Sequence, residues 1–121
     1  MTALKLRILF EGAMIGPGKA ELLDHIGATG SIAAAGRQMQ MSYKRAWMLV
    51  EEMNAAFAEP LVTSARGGQG GGGARLTEFG AEVLRLYREV VARAEAAAAE
   101  PIAALEGMLR RKAESDLSDG K

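Results

Sequence analysis

The sequence predicts a mainly α-helical fold, in which an N-terminal strand, a short hairpin and a long C-terminal helix accompany three shorter helices. Aromatic residues make up only 5% of the chain, so the core must come from aliphatic residues and methionine, which is more typical of helices than of sheets. Apolar residues recur at helical spacing in the middle and last thirds of the chain. A run of glycines between two short extended segments predicts the hairpin.

The first elements are a strand and two helices. Apolar and polar residues largely alternate over residues 4–10, which is the period of a half-buried strand. Glycines and Pro17 then break the chain, and a helix is predicted over about 19–28, which Gly30 ends. Ser31 can cap a second, short helix over 32–39, whose small side chains allow another helix to approach closely.

A third helix and a hairpin follow. Ser42 stands at an N-cap position, and the helix that it begins is predicted over residues 43–58, because Pro60 prevents much continuation. The apolar residues of this helix form one amphipathic stripe: Ala46, Leu49, Val50, Met53 and Phe57. Residues 61–65 have the composition of a strand, and the glycine-rich segment 67–73 after them predicts a hairpin with a flexible tip.

A long helix is predicted over residues 78–112, capped by Thr77 and interrupted at Glu100–Pro101. The predicted organisation is therefore a domain over 1–77, a dimerisation helix over 78–112 and a frayed polar tail over 113–121. Apolar residues along the helix form a near-heptad seam that is too long for one small domain to cover. The residues predicted to make the homodimer contact lead this seam: Phe79, Val83, Leu86 and Val90. The alternative is that the first half of the helix packs on its own domain.

This order of elements is that of a winged helix-turn-helix, in which the second helix of the motif enters the major groove of double-stranded DNA. The formal net charge is zero, from 15 basic and 15 acidic residues, which by itself argues against nucleic-acid binding. The distribution of charge matters more: no acidic residue lies between Asp24 and Glu51, or between Glu59 and Glu78. Both stretches contain basic residues, so the predicted partner is DNA.

The candidate DNA-binding residues lie at the leading end of the third helix, in the helix before it and around the hairpin. A helix N-terminus also favours a phosphate group. The candidates are Arg37, Ser42, Tyr43, Lys44, Arg45, Met48, Arg66 and Arg75. The alternative for the helix is that Ser42 only caps it and that Lys44 and Arg45 form a solvated surface. Trp47 is interpreted as packing between helices.

The glycine-rich segment has two interpretations, a wing tip and a flexible linker. It lacks the terminal Gly-Lys-Ser/Thr of a nucleotide-binding phosphate loop, so a nucleotide site is not expected. Arg66 and Arg75 flank the segment and favour a wing, since glycine lets the backbone approach phosphates or the minor groove closely.

The sequence offers no combination of side chains for catalysis or metal binding. It contains no cysteine, which excludes disulfides, thiolate zinc sites and cysteine nucleophiles. His25 is the only histidine, and Glu51 and Glu52 are helix neighbours that point in different directions. We therefore expect no metal, no cofactor and no enzymatic activity. No apolar run reaches the roughly 18–20 residues of a membrane span, and no signal peptide is evident, so a cytoplasmic location is expected.

Several strings in the sequence are familiar. They cover residues 28–32, 41–47, 52–54, 60–62 and 73–80, and include Ser-Tyr-Lys-Arg-Ala-Trp and Ala-Arg-Leu-Thr. Together with the glycine-rich wing, they resemble the N-terminal DNA-binding domain of the ModE family of molybdenum-responsive regulators, a LysR-like winged helix.

The resemblance covers roughly residues 20–90 and implies a dimeric regulator of genes for molybdate uptake or molybdoenzymes. Full-length members of the family carry C-terminal β domains that bind molybdate, and the residues after 112 are too few to form even one. The resemblance thus implies DNA binding by a single-domain member or a piece of a longer protein, and casts doubt on molybdate binding by this chain. The competing hypothesis is a protein-interaction or dimerisation module that does not read DNA. The formal net charge of zero favours this hypothesis.

Overall fold

The computed structural model describes residues 2–65 and 73–110, and the chain divides into two compact units, residues 1–91 and residues 92–121. In chain order the elements are β1 (Ile8–Phe10), β2 (Ala13–Ile15), α1 (Pro17–Thr29), α2 (Ile32–Gln38), α3 (Tyr43–Ala56), β3 (Val62–Ala65), β4 (Gly73–Leu76), α4 (Glu78–Ala97) and α5 (Ala99–Gly107). The mainly α-helical fold predicted from the sequence is confirmed. The predicted frayed tail lies outside the described residues.

The N-terminal segment differs from the single strand predicted over residues 4–10. It forms an antiparallel hairpin of β1 and β2, in which Ile8 pairs with Ile15. The turn contains Gly12 with a φ of +84°, a conformation that glycine adopts readily. Strand β1 begins only at Ile8, because β2 ends opposite it, where the first helix starts. Before β1, the carbonyl of Leu6 accepts a hydrogen bond from the Tyr87 hydroxyl at 2.6 Å.

Helices α2 and α3 begin at the serine caps that the sequence predicts. The Ser31 Oγ accepts a hydrogen bond from the backbone N–H of Ala34 at 3.0 Å, and the Ser42 Oγ accepts one from that of Arg45 at 3.1 Å. Gly30 ends α1 in the left-handed conformation, with a φ of +73°. Each serine satisfies a backbone donor that the first turn of a helix leaves free, which fixes where α2 and α3 start.

The close approach predicted for α2 is made by α3. A Cβ added at Gly36 would lie 3.2 Å from the Cβ of Ala46 and 3.4 Å from the carbonyl oxygen of Met41. Small side chains on both helices therefore let α3 cross α2 at short distance.

The core of the first unit lies between α1, α3, the strands β2, β3 and β4, and the first half of α4. Its largest fully buried side chains are Leu22, Leu23, Ile26, Met53 and Leu61. The apolar stripe predicted for α3 faces this core, with Ala46, Val50 and Met53 buried and Leu49 and Phe57 packed against them. Burial of this stripe leaves the opposite side of α3 free for a ligand.

Strands β3 and β4 form the predicted hairpin, called the wing from here on. They pair antiparallel, with Val62 opposite Leu76 and Ala65 opposite Gly73. The wing also bonds to the turn between α1 and α2, since the backbone N–H of Ala74 donates to the carbonyl of Gly30 at 2.9 Å. Its tip, which includes the candidate Arg66, lies outside the described residues.

Thr77 joins the end of the wing to the start of α4. Its Oγ1 accepts a hydrogen bond from the backbone N–H of Gly80 and donates one to the carbonyl of Pro60, both at 2.8 Å. Its own backbone N–H donates to the carbonyl of Leu61 at 2.9 Å. The predicted N-cap is confirmed, and it also holds α4 against the segment that precedes β3.

We expect Thr77→Ala to lower the free energy of unfolding by about 1–2 kcal/mol, because the variant has neither the cap nor the hydrogen bond to Pro60. Urea denaturation measures this change. Thr77→Ser keeps the hydroxyl and is the matched control, for which we expect less than half of the loss. Equal midpoints for the alanine and serine variants would show that the hydroxyl does not stabilise the start of α4.

The long helix predicted over residues 78–112 is divided. Helix α4 ends at Ala97 and α5 begins at Ala99, because Pro101 has no N–H and its ring clashes with the carbonyl four residues earlier. The interruption is confirmed, although it lies before the proline itself. Helix α5 ends at Gly107, before the predicted end at about residue 112, which lies outside the described residues.

The predicted seam of α4 has a packed part and an exposed part. Phe79 and Val83 pack against the core, whereas Leu86 and Val90 are 47% and 42% exposed. The two exposed residues belong to a cleft of about 190 Å³ whose walls expose only apolar atoms, called the apolar patch below. Its residues are Ile8, Phe10, Ile15, Phe57, Val83, Leu86, Tyr87 and Val90.

Candidate nucleic-acid interface

The exposed side of α3 carries four of the eight predicted DNA-binding residues. Tyr43, Lys44 and Arg45 are exposed in the first turn, and Met48 is 53% exposed one turn further on. Lys44, Met48 and Glu51 are four and three residues apart, so they form one line along the helix. This line lies opposite the buried stripe, and its leading end is the part of such a helix that reaches base edges in the major groove.

One flank of α3 faces a cleft of about 300 Å³ between this helix, the start of α2 and the wing. Tyr43 and Trp47 line it from α3, while Thr63 and Ala74 line it from the wing. Trp47 is 45% exposed, which is more than its interpretation as packing between helices implied. The cleft therefore places two aromatic side chains, one turn apart, beside the wing.

The other flank of α3 faces the N-terminal hairpin. Arg45 lines a groove there together with Lys19 and Glu52. Lys19 forms an ion pair with Glu52 at 3.2 Å and donates a hydrogen bond to the carbonyl of Met14, also at 3.2 Å. Tyr43 and Arg45 thus lie on opposite flanks, with Lys44 between them, as the helical spacing predicts.

The predicted cations of this surface are not used in ion pairs inside the described part of the chain. The carboxylates Glu52, Glu82, Glu89 and Asp24 pair instead with Lys19, Arg85 and Arg88. Within residues 2–65 and 73–110, four exposed cations of the predicted surface have no carboxylate partner: Arg37 at the end of α2, Lys44 and Arg45 on α3, and Arg75 on β4. They can bind phosphates without breaking an existing pair.

Sequence reasoning identified most of this surface but not how its parts are held together. Ser42 caps α3, and its Oγ accepts from Arg45, so the helix uses this hydroxyl as an acceptor whether or not it also contacts DNA. The sequence predicted neither the exposure of Trp47 nor the hydrogen bonds that the Asn54 side chain makes with the backbone of Leu61 and Val62 at the start of the wing. The sequence did contain a signal for the exposure of Trp47: Tyr43 and Trp47 are four residues apart and lie together outside the apolar stripe of α3.

Other kinds of site can be checked in the described part of the chain. No three histidine, cysteine, aspartate or glutamate side chains come together there in a group that could hold a metal ion. None of the helices described is both long enough and apolar enough to cross a membrane.

Residues 18–81 match a known family, the bacterial regulatory helix-turn-helix proteins of the lysR family. The chain belongs to this family. The matched stretch contains α1 from its second residue onward, α2, α3, the wing and the start of α4, which are the elements that build the surface described above.

Three similar proteins have names that refer to molybdenum or to transcription regulation. The molybdenum-pterin-binding protein MopB of Rhodobacter capsulatus is 47% identical over 81 residues, which are 67% of this chain and 30% of MopB. The DNA-binding transcriptional dual regulator ModE of Escherichia coli K12 is 44% identical over 71 residues, 59% of this chain and 27% of ModE. The molybdenum transport protein ModE of Azotobacter vinelandii is 38% identical over 77 residues, 64% of this chain and 28% of that protein. The resemblance to ModE regulators is confirmed, and the chain spans less than a third of the length of these relatives.

A solved structure has the same fold. The crystal structure of the DNA-binding domain of CbnR in complex with DNA matches with a TM-score of 0.57 and 18% sequence identity. The match covers 73% of this chain and 95% of that domain. At this identity the likeness concerns the fold alone, and it confirms the winged helix-turn-helix predicted from the sequence.

Proposed function

We propose that this chain is a sequence-specific DNA-binding transcription regulator of the ModE type, which acts on genes for molybdate uptake or molybdoenzymes. The observation that carries the proposal is the exposed side of α3, where Lys44 and Arg45 stand in the first turn without an ion-pair partner in the described residues. The wing contributes a further exposed cation, Arg75 on β4. The link to molybdenum is supported by the names of two relatives, the molybdenum-pterin-binding protein MopB and the molybdenum transport protein ModE of Azotobacter vinelandii.

The proposed roles follow from position. Lys44, Arg45 and Met48 face base edges, because they line the leading end of the helix that enters the major groove. Arg37, Tyr43 and Ser42 face the DNA backbone near that end, and Arg75 contacts it from the wing. Arg66 has the same proposed role, from outside the described residues. We propose no catalytic step and no molybdate site for this chain. We also propose a cytoplasmic location, because the proposed ligand is chromosomal DNA.

Selection from a random pool of double-stranded DNA tests this function, with molybdate present in one arm and absent in the other. We expect enrichment of a palindromic sequence in both arms. Failure to enrich any sequence would overturn the proposal and favour a protein-interaction module. A sequence that is enriched only with molybdate would contradict the proposed absence of a molybdate site in this chain.

The second part of the proposal is a homodimer formed through the apolar patch. Leu86 and Val90 of α4 are about half exposed there, next to Phe10, which is 50% exposed on the N-terminal hairpin. Covering these side chains with the same surface of a second copy removes apolar area from water. Two-fold symmetry then places two α3 helices about 34 Å apart, one turn of DNA, which the palindromic site requires.

Light scattering at micromolar concentration should give about twice the single-chain mass of 12.8 kDa. The Leu86→Asp, Val90→Asp variant should give the single-chain mass, since each aspartate would be buried in the dimer interface. Ala81→Asp, Ala92→Asp is the matched control, because these exposed residues lie on the opposite side of α4 from Leu86. A single-chain mass for the unsubstituted protein would rule out the dimer.

A further inference from the structure

Asn54 joins the recognition helix α3 to the wing. Its Oδ1 accepts hydrogen bonds from the backbone N–H of Leu61 at 2.8 Å and of Val62 at 3.3 Å. Its Nδ2 donates to the carbonyl of Val62 at 3.0 Å. One half-buried side chain, in the last turn of α3, therefore bonds both the donor and the acceptor groups at the start of β3.

The geometry of this interaction is specific to an amide. An amide presents an acceptor and a donor in one plane, which matches the N–H and C=O groups of an extended strand end. A carboxylate lacks the donor, and an aliphatic side chain lacks both groups. In the described part of the chain, the side-chain hydrogen bonds between α3 and the wing all come from Asn54.

The other hydrogen bonds of the wing lead elsewhere. Ala74 of β4 bonds to Gly30 between α1 and α2, and Thr77 bonds to the segment before β3. These bonds attach the wing to the body of the unit, whereas Asn54 ties it directly to the helix that carries Lys44. The same residue lines the cleft between α3 and the wing, which Tyr43 and Trp47 also line.

We propose that Asn54 is a positioning residue for DNA binding, which sets the wing at the distance from α3 that lets both contact one DNA molecule at once. The inference rests on the proposed DNA-binding function. Two binding elements held at a fixed separation act as one bivalent site, and the second no longer engages when the separation is wrong. In a protein whose wing is released from α3, Arg75 should therefore no longer reach its phosphate, while Lys44 and Arg45 still engage the major groove.

The test is Asn54→Ala, with binding to the selected DNA measured over a series of salt concentrations. The slope of log K against log salt is negative, and its magnitude falls by about 0.9 for each phosphate that the protein no longer neutralises. We expect the magnitude to fall by about that amount for each Arg75 side chain that no longer binds its phosphate. The affinity at moderate salt should fall about tenfold, and the preferred bases should stay the same. A purely structural loss reduces the folded fraction equally at every salt concentration and leaves the slope unchanged.

Val91→Ala is the matched control, because Val91 packs against the core from α4 and lies outside the cleft between α3 and the wing. It should lower the unfolding midpoint without changing the slope. If Asn54→Ala does not fold, Asn54→Ser takes its place, since serine keeps a hydroxyl but cannot bond both Leu61 and Val62.

A double-mutant cycle with Arg75→Ala completes the test. If Asn54 acts through the wing, the combined loss in the double variant should be smaller than the sum of the two single losses, because the Arg75 phosphate interaction that Asn54→Ala removes is already gone. Additive losses, or a salt slope equal to that of the parent, would overturn the positioning role. These outcomes are distinct from failure of the proposed function, in which the unsubstituted protein itself binds no DNA sequence selectively.

Discussion

Replacing Gly80 with alanine is expected to lower the free energy of unfolding by about 3 kcal/mol, the largest loss that we predict for a single methyl group. Gly80 is buried in the first turn of α4, directly against the segment that leads into the wing. A Cβ there would overlap the carbonyl oxygen of Leu61 and lie 2.9 Å from the Cδ1 of Leu76. The first obstacle is backbone, so it cannot move aside as a flexible side chain would.

The loss is large in relation to the stability of such a domain, which is commonly about 5–15 kcal/mol. Gly18→Ala is the control, because Gly18 is in the first turn of α1 and a Cβ there would meet no atom within 4 Å. That variant should be unchanged or stabilised by up to about 1 kcal/mol, since alanine favours helix. Urea denaturation of both variants measures the difference. If Gly80→Ala proves as stable as Gly18→Ala, the close approach of α4 to Leu61 is not required for folding.

The helices were predictable because their signals are local. Ser31 and Ser42 each precede an apolar helical pattern, and each accepts the hydrogen bond expected of a cap. The buried stripe of α3 follows from its spacing, and its exposed side, with Lys44 and Arg45, follows by elimination. Pro101 marked the interruption of the last helix through its missing N–H.

The remaining features depend on interactions between residues far apart in the chain or on turns, which periodicity does not encode. The N-terminal hairpin forms because Ile15 pairs with Ile8. The alternating pattern of residues 4–10 predicts a strand, but it does not say whether that strand pairs with the residues that follow it. The seam of α4 has a regular period, yet the position of the core decides that Val83 is packed and Leu86 exposed. Asn54 stands at an ordinary helical position, and its role emerges only when β3 lies beside it.

The proposed DNA-binding residues were predictable for a physical reason of their own. A cation that binds DNA makes no ion pair within its own chain. Such cations can therefore be found in the sequence as basic residues in a stretch that lacks acidic ones. Arg75 on β4 and Lys44 on α3 both fit this description. How far apart such cations are held is a property of the fold, and periodicity and composition contain no measure of it.

The Lys44→Ala, Arg45→Ala variant should bind the selected DNA about a hundredfold more weakly than the parent, or weaker still. A side chain that reads a base contributes about 1–3 kcal/mol, and each 1.4 kcal/mol is about a factor of ten in affinity. Both residues are exposed in the first turn of α3, so their removal should leave the unfolding midpoint almost unchanged. Repeating the selection from random DNA should also show relaxed preference at the bases that they read.

Salt dependence separates base reading from phosphate binding in the same variant. A dimer that neutralises about six to ten phosphates should lose roughly a thousandfold in affinity between about 50 and 200 mM salt. If Lys44 or Arg45 binds a phosphate, the variant binds all sequences more weakly, and the magnitude of the negative salt slope falls by about 0.9 for each phosphate left without its cation. If both residues read bases, the salt slope stays the same and the sequence specificity of binding falls.

The control variant is Lys5→Ala, Arg110→Ala, which removes the same charge from exposed positions outside α3 and the wing. It should change neither the affinity for DNA nor the salt slope much. Parental affinity in the α3 variant, beside parental affinity in this control, would show that α3 is not the recognition helix.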